Sequence, residues 1–303
     1  MHYDKLMLYT LYKQKYFKGI TMIDKLKNDQ LCLSVEVFPP KKEGHLEGVI
    51  RALKGIGEVN PDFVSVTYGA SGAGGDKTAD VASVAIDAFG MKVLAHVTAV
   101  NLTKQKLESM VETYRRKNVK NLLILRGDLV PESKFFDFRY ASELALYIKK
   151  NYPEFTLFGA CYPEGHPEAE SLEKDIEFMR HKEDCGIEAF ITQLFFDNSC
   201  FYDFIDKVRQ KNITSPISAG IMPITSQSQT SRIVSMCGTH MPPTFAKMVA
   251  NNVDNLYDAG IDYAVTQIDD LINNGQKNIH LYSMNKADIA KRVFEKFEHK
   301  RKL

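Results

Sequence analysis

Residues 92–126, KVLAHVTAVNLTKQKLESMVETYRRKNVKNLLILR, contain the pattern that decides the fold. Two short runs, 92–99 and 121–126, are mostly apolar on both faces, which is typical of strands covered by helices. Between them lies a helical pattern that begins after Thr103, a suitable N-cap. Its apolar face is formed by Leu107, Met110, Val111 and Tyr114. The stretch therefore predicts a strand, a helix and a second strand.

The same alternation recurs along the whole chain. Further strand-like runs lie at 31–38, 63–68, 156–162, 189–196, 216–222 and 279–283. Helical stripes lie at 46–56 and 261–272, and Ser171 and Ser226 stand at N-cap positions. Eight strands that alternate with helices predict a (β/α)8 TIM barrel, for which about 250 residues is typical. The stretch between the seventh and eighth strands is too long for one helix, so we predict an extra helix inserted there.

A doubly wound open sheet is the alternative with the same alternation. That fold usually has a Gly-rich turn after its first strand, where this chain has Pro39-Pro40. No linker rich in Gly, Ser or Pro divides the chain. We therefore predict one α/β barrel domain over residues 31–303, preceded by an N-terminal extension and first helix over residues 1–30.

The composition excludes several classes of protein. The 303 residues include 39 Lys and Arg and 38 Asp and Glu, without the basic excess of a protein that binds nucleic-acid phosphates. No apolar run approaches the ~20 residues that span a membrane, and the N-terminus has no secretory signal pattern. The scattered cysteines form no CxxC motif, which favours reduced thiols. These features predict a cytoplasmic protein that binds neither nucleic acid nor a membrane.

Polar and aromatic residues stand at the ends of the predicted strands, where a (β/α)8 barrel places its chemistry. Glu36 follows apolar neighbours, and a carboxyl inside an apolar barrel would have a raised pKa that suits a general acid near neutral pH. The alternative is a Glu that faces the surface at a strand end. Arg126-Gly127-Asp128 offers close backbone approach and a negative charge at the rim. The alternative there is a tight turn with a paired surface Arg.

Other candidates are weaker. The Gly-rich segment 69–78 looks like a phosphate loop, but Asp76 stands where a P-loop needs Gly before its Lys. His96 and His166 could ligate a metal, yet no carboxylate pairing suggests a third ligand, so no metal site is predicted. Lys182 is by default a solvated lysine, and beside a diphosphate it would be an anchoring charge.

Eight segments of the chain together resemble the methylenetetrahydrofolate reductase family. They occur in the family's order with spacing close to the family's, and they cover the chain from about Leu31 to its end. The segments are VEVFPP (35–40), FVSVTYGA (63–70), HVT (96–98), LRGDL (125–129), YPEGHPEA (162–169), ITQLFFD (191–197), GIMP (220–223) and HLYSMN (280–285).

The resemblance implies a barrel that binds FAD and reduces 5,10-methylenetetrahydrofolate to 5-methyltetrahydrofolate, which feeds methionine synthesis. By the family's ping-pong reaction, NAD(P)H reduces the flavin and leaves before the folate takes the same site. The chain ends soon after its last predicted helix and so resembles the short bacterial form, which suggests NADH rather than NADPH. The partners are then methylenetetrahydrofolate and NAD(P)H, and we expect a homo-oligomer.

The resemblance also assigns roles to individual residues. Glu36 matches the general acid that protonates N10 as the folate's five-membered ring opens, and Asp128 matches the negative charge that stabilises the 5-iminium cation. Substrate contacts are implied for Asp128, Gln193, Gln229 and Lys286. Contacts with FAD or the nicotinamide are implied for Thr67, Tyr68, Ala70, His96, Arg126, Gly127, Asp128, Tyr140, Ala141, Tyr162, His166, Ala169, Asp175, His181 and Lys182.

Three positions depart from the family's pattern. Lys286 stands where bacterial relatives often have Arg. Ile233 stands where some members have an aromatic residue. Phe178 replaces a polar residue on the helix that faces FAD in the family. The last two keep a second hypothesis open, in which the chain is a flavin- or folate-binding subunit of a larger redox complex that receives electrons from a protein partner. A Schiff-base aldolase is disfavoured, because no Lys except Lys92 lies in a predicted strand among apolar neighbours.

Overall fold

Eight parallel strands close into a barrel in chain order in the computed structural model, which describes residues 21–40, 46–68, 75–129, 131, 133–237 and 239–301. The predicted (β/α)8 barrel is therefore confirmed. The strands are β1 (Cys32–Val37), β2 (Phe63–Val66), β3 (Val93–Thr98), β4 (Asn121–Leu125), β5 (Thr156–Cys161), β6 (Ala189–Thr192), β7 (Ile217–Ile221) and β8 (Asn278–Leu281).

Helices follow the strands and cover the outside of the barrel. They are α1 (Met22–Lys27), α2 (Leu46–Gly57), α3 (Gly75–Phe89), α4 (Lys104–Arg116), α5 (Ala141–Asn151), α6 (Leu172–Asp184), α7 (Asn198–Gln210), α8 (Gln227–Cys237), α9 (Pro243–Asn251), α10 (Leu256–Asn273) and α11 (Ala287–Arg301). Helices α8 and α9 precede the long α10 between β7 and β8, which confirms the predicted insertion. Within the described ranges, no helix is both long and apolar enough to cross a membrane.

The predicted N-caps occupy their expected places. The hydroxyl of Thr103 accepts a hydrogen bond from the backbone N–H of Lys106, and that of Ser171 accepts one from Lys174. Ser226 Oγ likewise lies 3.3 Å from the backbone nitrogen of Gln229 at the start of α8. Each cap satisfies a backbone donor that the first helical turn leaves unpaired.

Helix α1 packs at the N-terminal end of the barrel. Its Met22, Ile23 and Leu26 join one apolar cluster with strand residues that include Phe63 and Phe158. The side-chain amide of Asn278 also donates to the carbonyl of Leu26 at 2.9 Å. The helix therefore seals the end of the barrel opposite the rim where chemistry is expected. The first 20 residues of the predicted extension lie outside the described residues.

The sixth strand is shorter than predicted. The apolar run 189–196 suggests one strand that carries Gln193, but β6 ends at Thr192 and Gln193 follows it directly, so that placement is wrong. Leu194 and Phe196 instead pack with Phe245 and other residues of the inserted segment. The run stays apolar because its second half is covered by the insertion and not because it continues the sheet.

Candidate active site

The carboxyl of Glu36 lies inside the barrel near the C-terminal end of β1. Glu36 is only 8% exposed, and burial raises its pKa to about 8 because the carboxylate would lose its hydration. The Ser65 hydroxyl, which hydrogen-bonds the carboxyl from β2, opposes this rise. Glu36 is therefore a neutral carboxylic acid at pH 7, as the sequence predicts, and the alternative of a surface-facing Glu is wrong.

His96 of β3 lies beside this acid. Its Nε2 lies 3.6 Å from Oε2 of Glu36, too far for a hydrogen bond. Burial lowers the pKa of His96 to about 3, so the imidazole is neutral at pH 7. Among the described residues, Nε2 of His96 has no hydrogen-bond partner although it is buried. A buried polar atom without a partner is a position where a bound molecule or a water can complete the hydrogen bonding.

A polar cluster fills the barrel beneath Glu36. His280 of β8 places Nδ1 2.7 Å from the Ser34 hydroxyl and Nε2 3.2 Å from the Ser65 hydroxyl. Burial is the main cause that lowers the pKa of His280 to about 3, so this ring is also neutral. The cluster joins β1, β2 and β8 by hydrogen bonds and fixes the floor of the site.

The turn after β4 brings a cation and an anion to the rim. The guanidinium of Arg126 forms two parallel hydrogen bonds with the carboxylate of Glu168, at 2.5 and 2.8 Å. Gly127 has φ +91°, and a Cβ there would lie 3.1 Å from that of Thr98, so glycine is required. Asp128 follows as an exposed side chain. The alternative of a tight turn with a paired Arg thus describes the local geometry, and it leaves Asp128 available to a ligand.

The loop after β5 is held by its own polar side chains. The rings of Tyr162 and His166 meet edge to face, with their centroids 4.7 Å apart. The backbone N–H of His166 donates to the buried carboxylate of Asp175 at 3.0 Å. Burial raises the pKa of Asp175 and lowers that of His166. The contacts therefore hold Tyr162, His166 and Asp175 together after β5.

Lys182 is not the solvated lysine that its helix position suggests. Its ammonium donates to the backbone carbonyl of Ala160 in β5 at 3.0 Å. Burial lowers its pKa, and the charge of Asp175 opposes that shift. The reason for the difference is that this face of α6 packs against the end of β5, which cannot be deduced from the helical pattern alone.

Two of the expected substrate contacts, Gln229 and Lys286, meet through Thr225. The Lys286 ammonium lies 3.0 Å from Oγ1 of Thr225, and Oε1 of Gln229 lies 3.0 Å from the Thr225 backbone nitrogen. No resemblance segment includes Thr225, and sequence reasoning missed it. Lys286 lies 61 residues away in the chain, so no local signal could have revealed that contact.

The remaining predicted residues are spread along the rim and the outer helices. Thr67 and Tyr68 follow β2 directly, Ala141 begins α5 after an exposed Tyr140, and Ala169 precedes α6. His181 is exposed on α6. Ala70 lies outside the described residues, as does most of the Gly-rich segment 69–78. No three His, Cys, Asp or Glu side chains in the described parts of the chain are grouped to hold a metal ion.

Two of the positions that depart from the family's pattern, Ile233 and Phe178, are not proposed substrate contacts, and the structure shows what surrounds each side chain. Ile233 is buried in an apolar cluster with Leu194, Ile224 and Phe245, so its side chain serves packing of the inserted segment. Phe178 is 49% exposed on α6, with the Lys174 ammonium 5.8 Å from the centre of its ring. Neither side chain contacts Glu36.

A closed (β/α)8 barrel with a buried acid near its C-terminal rim defines the class as a barrel enzyme. The family model described as methylenetetrahydrofolate reductase matches residues 21–298. The chain therefore belongs to the methylenetetrahydrofolate reductase family of oxidoreductases, as the eight segments predict.

Curated relatives support the same assignment. The chain is 29% identical over 264 residues to "5,10-methylenetetrahydrofolate reductase" of Escherichia coli, an alignment that covers 86% of this chain and 88% of the relative. It is 30% identical over 271 residues to the protein of the same name in Buchnera aphidicola, covering 88% and 92%. "Methylenetetrahydrofolate reductase (NADH) 1" of Arabidopsis thaliana is 30% identical over 286 residues, covering 87% and 48%. The chain thus spans about half the length of this plant relative.

A solved structure supports the fold alone. An uncharacterized protein from Clostridium thermocellum that binds two copies of 5-methyl-5,6,7,8-tetrahydrofolic acid superposes with a TM-score of 0.65. The match covers 91% of this chain and 99% of that protein at 14% sequence identity.

Proposed function

We propose that this chain reduces 5,10-methylenetetrahydrofolate to 5-methyltetrahydrofolate, with NADH as the donor and FAD as the cofactor. The single observation that carries the proposal is the buried carboxyl of Glu36, whose pKa of about 8 keeps it protonated at neutral pH. A protonated carboxylic acid at the C-terminal rim of a barrel can act as a general acid. Family membership supplies the substrate class on which such an acid would act.

Glu36 would donate its proton to N10 of the folate. The bond between N10 and the bridging methylene then breaks, and the positive charge moves to the 5-iminium group that accepts the hydride. Asp128 would face that cation from the end of β4, and a fixed negative charge there favours its formation. The neutral imidazole of His96 places no positive charge beside the acid, so it does not oppose this step.

The residues at the rim fit FAD. His96 Nε2 is a buried polar atom without a partner among the described residues, and Arg126 and Lys182 are cations that suit a diphosphate. Transfer of hydride between the nicotinamide and the folate is the chemistry that FAD supplies when bound. The residues proposed to hold it are Tyr68, Ala70, His96, Arg126, Gly127, Asp128, Tyr140, Ala141, Tyr162, His166, Ala169, Asp175, His181 and Lys182.

NADH and the folate would use one site in turn. Thr67 is the proposed contact of the nicotinamide, and Asp128, Gln193, Gln229 and Lys286 are those of the folate. The name of the plant relative specifies NADH, which favours NADH over NADPH. The product would feed methionine synthesis, and we propose a cytoplasmic homo-oligomer.

The test is direct. The purified protein is expected to show the visible absorption of an oxidised flavin, and to form 5-methyltetrahydrofolate from NADH and 5,10-methylenetetrahydrofolate, with the product identified by chromatography. A flavin-free protein that cannot be loaded with FAD, or a loaded protein that forms no product, would contradict the proposal.

A further inference from the structure

Thr225 lies between β7 and α8 and connects two residues proposed to contact the folate. It is 8% exposed. The Lys286 ammonium lies 3.0 Å from its Oγ1, and Gln229 Oε1 lies 3.2 Å from the same Oγ1. Gln229 Oε1 also lies 3.0 Å from the Thr225 backbone nitrogen.

The donors and acceptors of this cluster have only one possible arrangement. A backbone N–H can only donate, so the amide oxygen of Gln229 must face Thr225. The carbonyl of Pro223 can only accept, so the amide nitrogen of Gln229, 3.3 Å away, donates to it. An ammonium can only donate, so Thr225 Oγ1 accepts from Lys286 and turns its own proton to Gln229 Oε1. The orientation of the Gln229 side-chain amide is therefore fixed by its hydrogen-bond partners.

Gln229 and Lys286 consequently have donors to offer and no free acceptor. Gln229 Oε1 already accepts two hydrogen bonds from Thr225, while its amide nitrogen uses one of two N–H groups on Pro223. The described residues provide one hydrogen-bond acceptor for the Lys286 ammonium, and the Tyr257 ring centre lies 5.4 Å from it. An ammonium has three N–H donors, so further donors of Lys286 can turn to a ligand.

We propose that Thr225 is a positioning residue that holds Gln229 and Lys286 as one donor-only recognition unit for carbonyl or carboxylate oxygens of the folate's benzoyl-glutamate tail. This inference rests on the proposed function. The pterin ring carries both donors and acceptors, whereas the benzoyl carbonyl and the glutamate carboxylates only accept. A single ammonium cannot form the bidentate pair of hydrogen bonds that Arg forms with a carboxylate. Thr225 compensates by fixing the ammonium in place before the ligand arrives.

The experiment measures binding of 5-methyltetrahydrofolate to the reduced, FAD-loaded protein by anaerobic isothermal titration calorimetry, because the reduced flavin cannot accept hydride from this ligand. T225V keeps the size of the side chain and removes the hydroxyl. We expect its Kd to rise about three- to tenfold, the effect of one hydrogen bond. T225S is expected to restore the wild-type Kd. T230V is the matched control, because the Thr230 hydroxyl is similarly buried in α8 and donates to the carbonyl of Ser226, the residue just before that helix.

A mutant cycle separates positioning from packing. If Thr225 acts through Gln229 and Lys286, then T225V added to a Q229A/K286A variant will weaken binding no more than that variant alone. Additive losses, failure of T225S to restore binding, or an equal loss in T230V would overturn the role of Thr225. Equal binding by T225V and the wild type would also overturn it. A wild-type holoenzyme that does not bind 5-methyltetrahydrofolate would overturn the proposed function, and this inference with it.

Discussion

Oε2 of Glu36 and Nε2 of His96 lie 3.6 Å apart inside the barrel, and neither group is charged at neutral pH. A carboxylate beside an imidazolium would form an ion pair, but burial favours the uncharged form of both groups. The proton therefore stays on the carboxyl, where a general acid needs it. Both the reactivity of Glu36 and its pH dependence follow from this relationship.

Replacing Glu36 by Gln should stop folate reduction without stopping flavin reduction. The amide has nearly the same shape and no acidic proton, so the folate half-reaction should slow by about 10²- to 10⁴-fold, the usual contribution of a general acid. Reduction of bound FAD by NADH needs no proton from Glu36 and should keep its rate. Rapid-mixing absorbance measures both steps. An equal loss in both would show that Glu36 supports the fold or the flavin site instead.

The folate half-reaction should also depend on pH with a defined sign. Glu36 is active when protonated, so the rate should be constant below its pKa and fall as the pH rises through about 8. Above that value, each further pH unit should lower the rate about tenfold. The NADH half-reaction is the internal control and should lack this descending limb. If the rate of the folate half-reaction falls instead near the ordinary pKa of Glu, the carboxyl of Glu36 is hydrated in the working enzyme.

Replacing Asp128 by Asn removes a negative charge from the rim. The reduced flavin carries more electron density than the oxidised form, so loss of this charge should raise the flavin's reduction potential. The 5-iminium cation would lose its stabilisation, and the folate half-reaction should slow about fivefold, more than the NADH half-reaction. Spectroscopic redox titration checks the potential. An unchanged potential would place Asp128 away from the flavin ring.

Replacing Glu168 by Gln should change how FAD binds. Glu168 accepts from two of the five N–H donors of Arg126 and offsets its charge, so it competes with a diphosphate for this guanidinium. An exposed ion pair costs little to break, and we expect E168Q to bind FAD about threefold more tightly, measured by quenching of flavin fluorescence. E173Q is the control, because Glu173 pairs with Lys207 on the neighbouring helix. Weaker binding by E168Q would mean that Glu168 orients Arg126 for the cofactor.

The sequence predicts the barrel well because its strands are covered on both faces and its helices have clear stripes. Glu36 could be identified because it lies between Val35 and Val37 in a wholly buried strand. The pairing of Arg126 with Glu168 could not be specified, because 42 residues separate them. The length of β6 and the environment of Lys182 were also missed, since each depends on which element packs over a residue that looks ordinary in sequence.

Residues 1–20 are expected to contribute nothing to the active site. We expect that a protein beginning at Thr21, after an added initiator Met, keeps its FAD and its turnover. Thr21 must be retained, because its hydroxyl caps α1 and Asp24 bonds back to its N–H. A protein beginning at Met22 should lose about 1 kcal/mol of stability with that cap. Loss of FAD or turnover in the Thr21 protein, while it remains folded, would show that residues 1–20 reach the site.

In the proposed reaction, one barrel accepts hydride from NADH and passes it to the folate. Both transfers can be followed by mixing the FAD-loaded protein rapidly with NADH under anaerobic conditions, and then with 5,10-methylenetetrahydrofolate. We expect NADH to bleach the flavin absorbance in a single turnover and the folate to restore it, with one 5-methyltetrahydrofolate formed per flavin. A different result would contradict this reaction: NADH leaves the flavin oxidised, whereas a chemical reductant bleaches it and the folate then reoxidises it. That result would indicate a subunit that receives electrons from a protein partner.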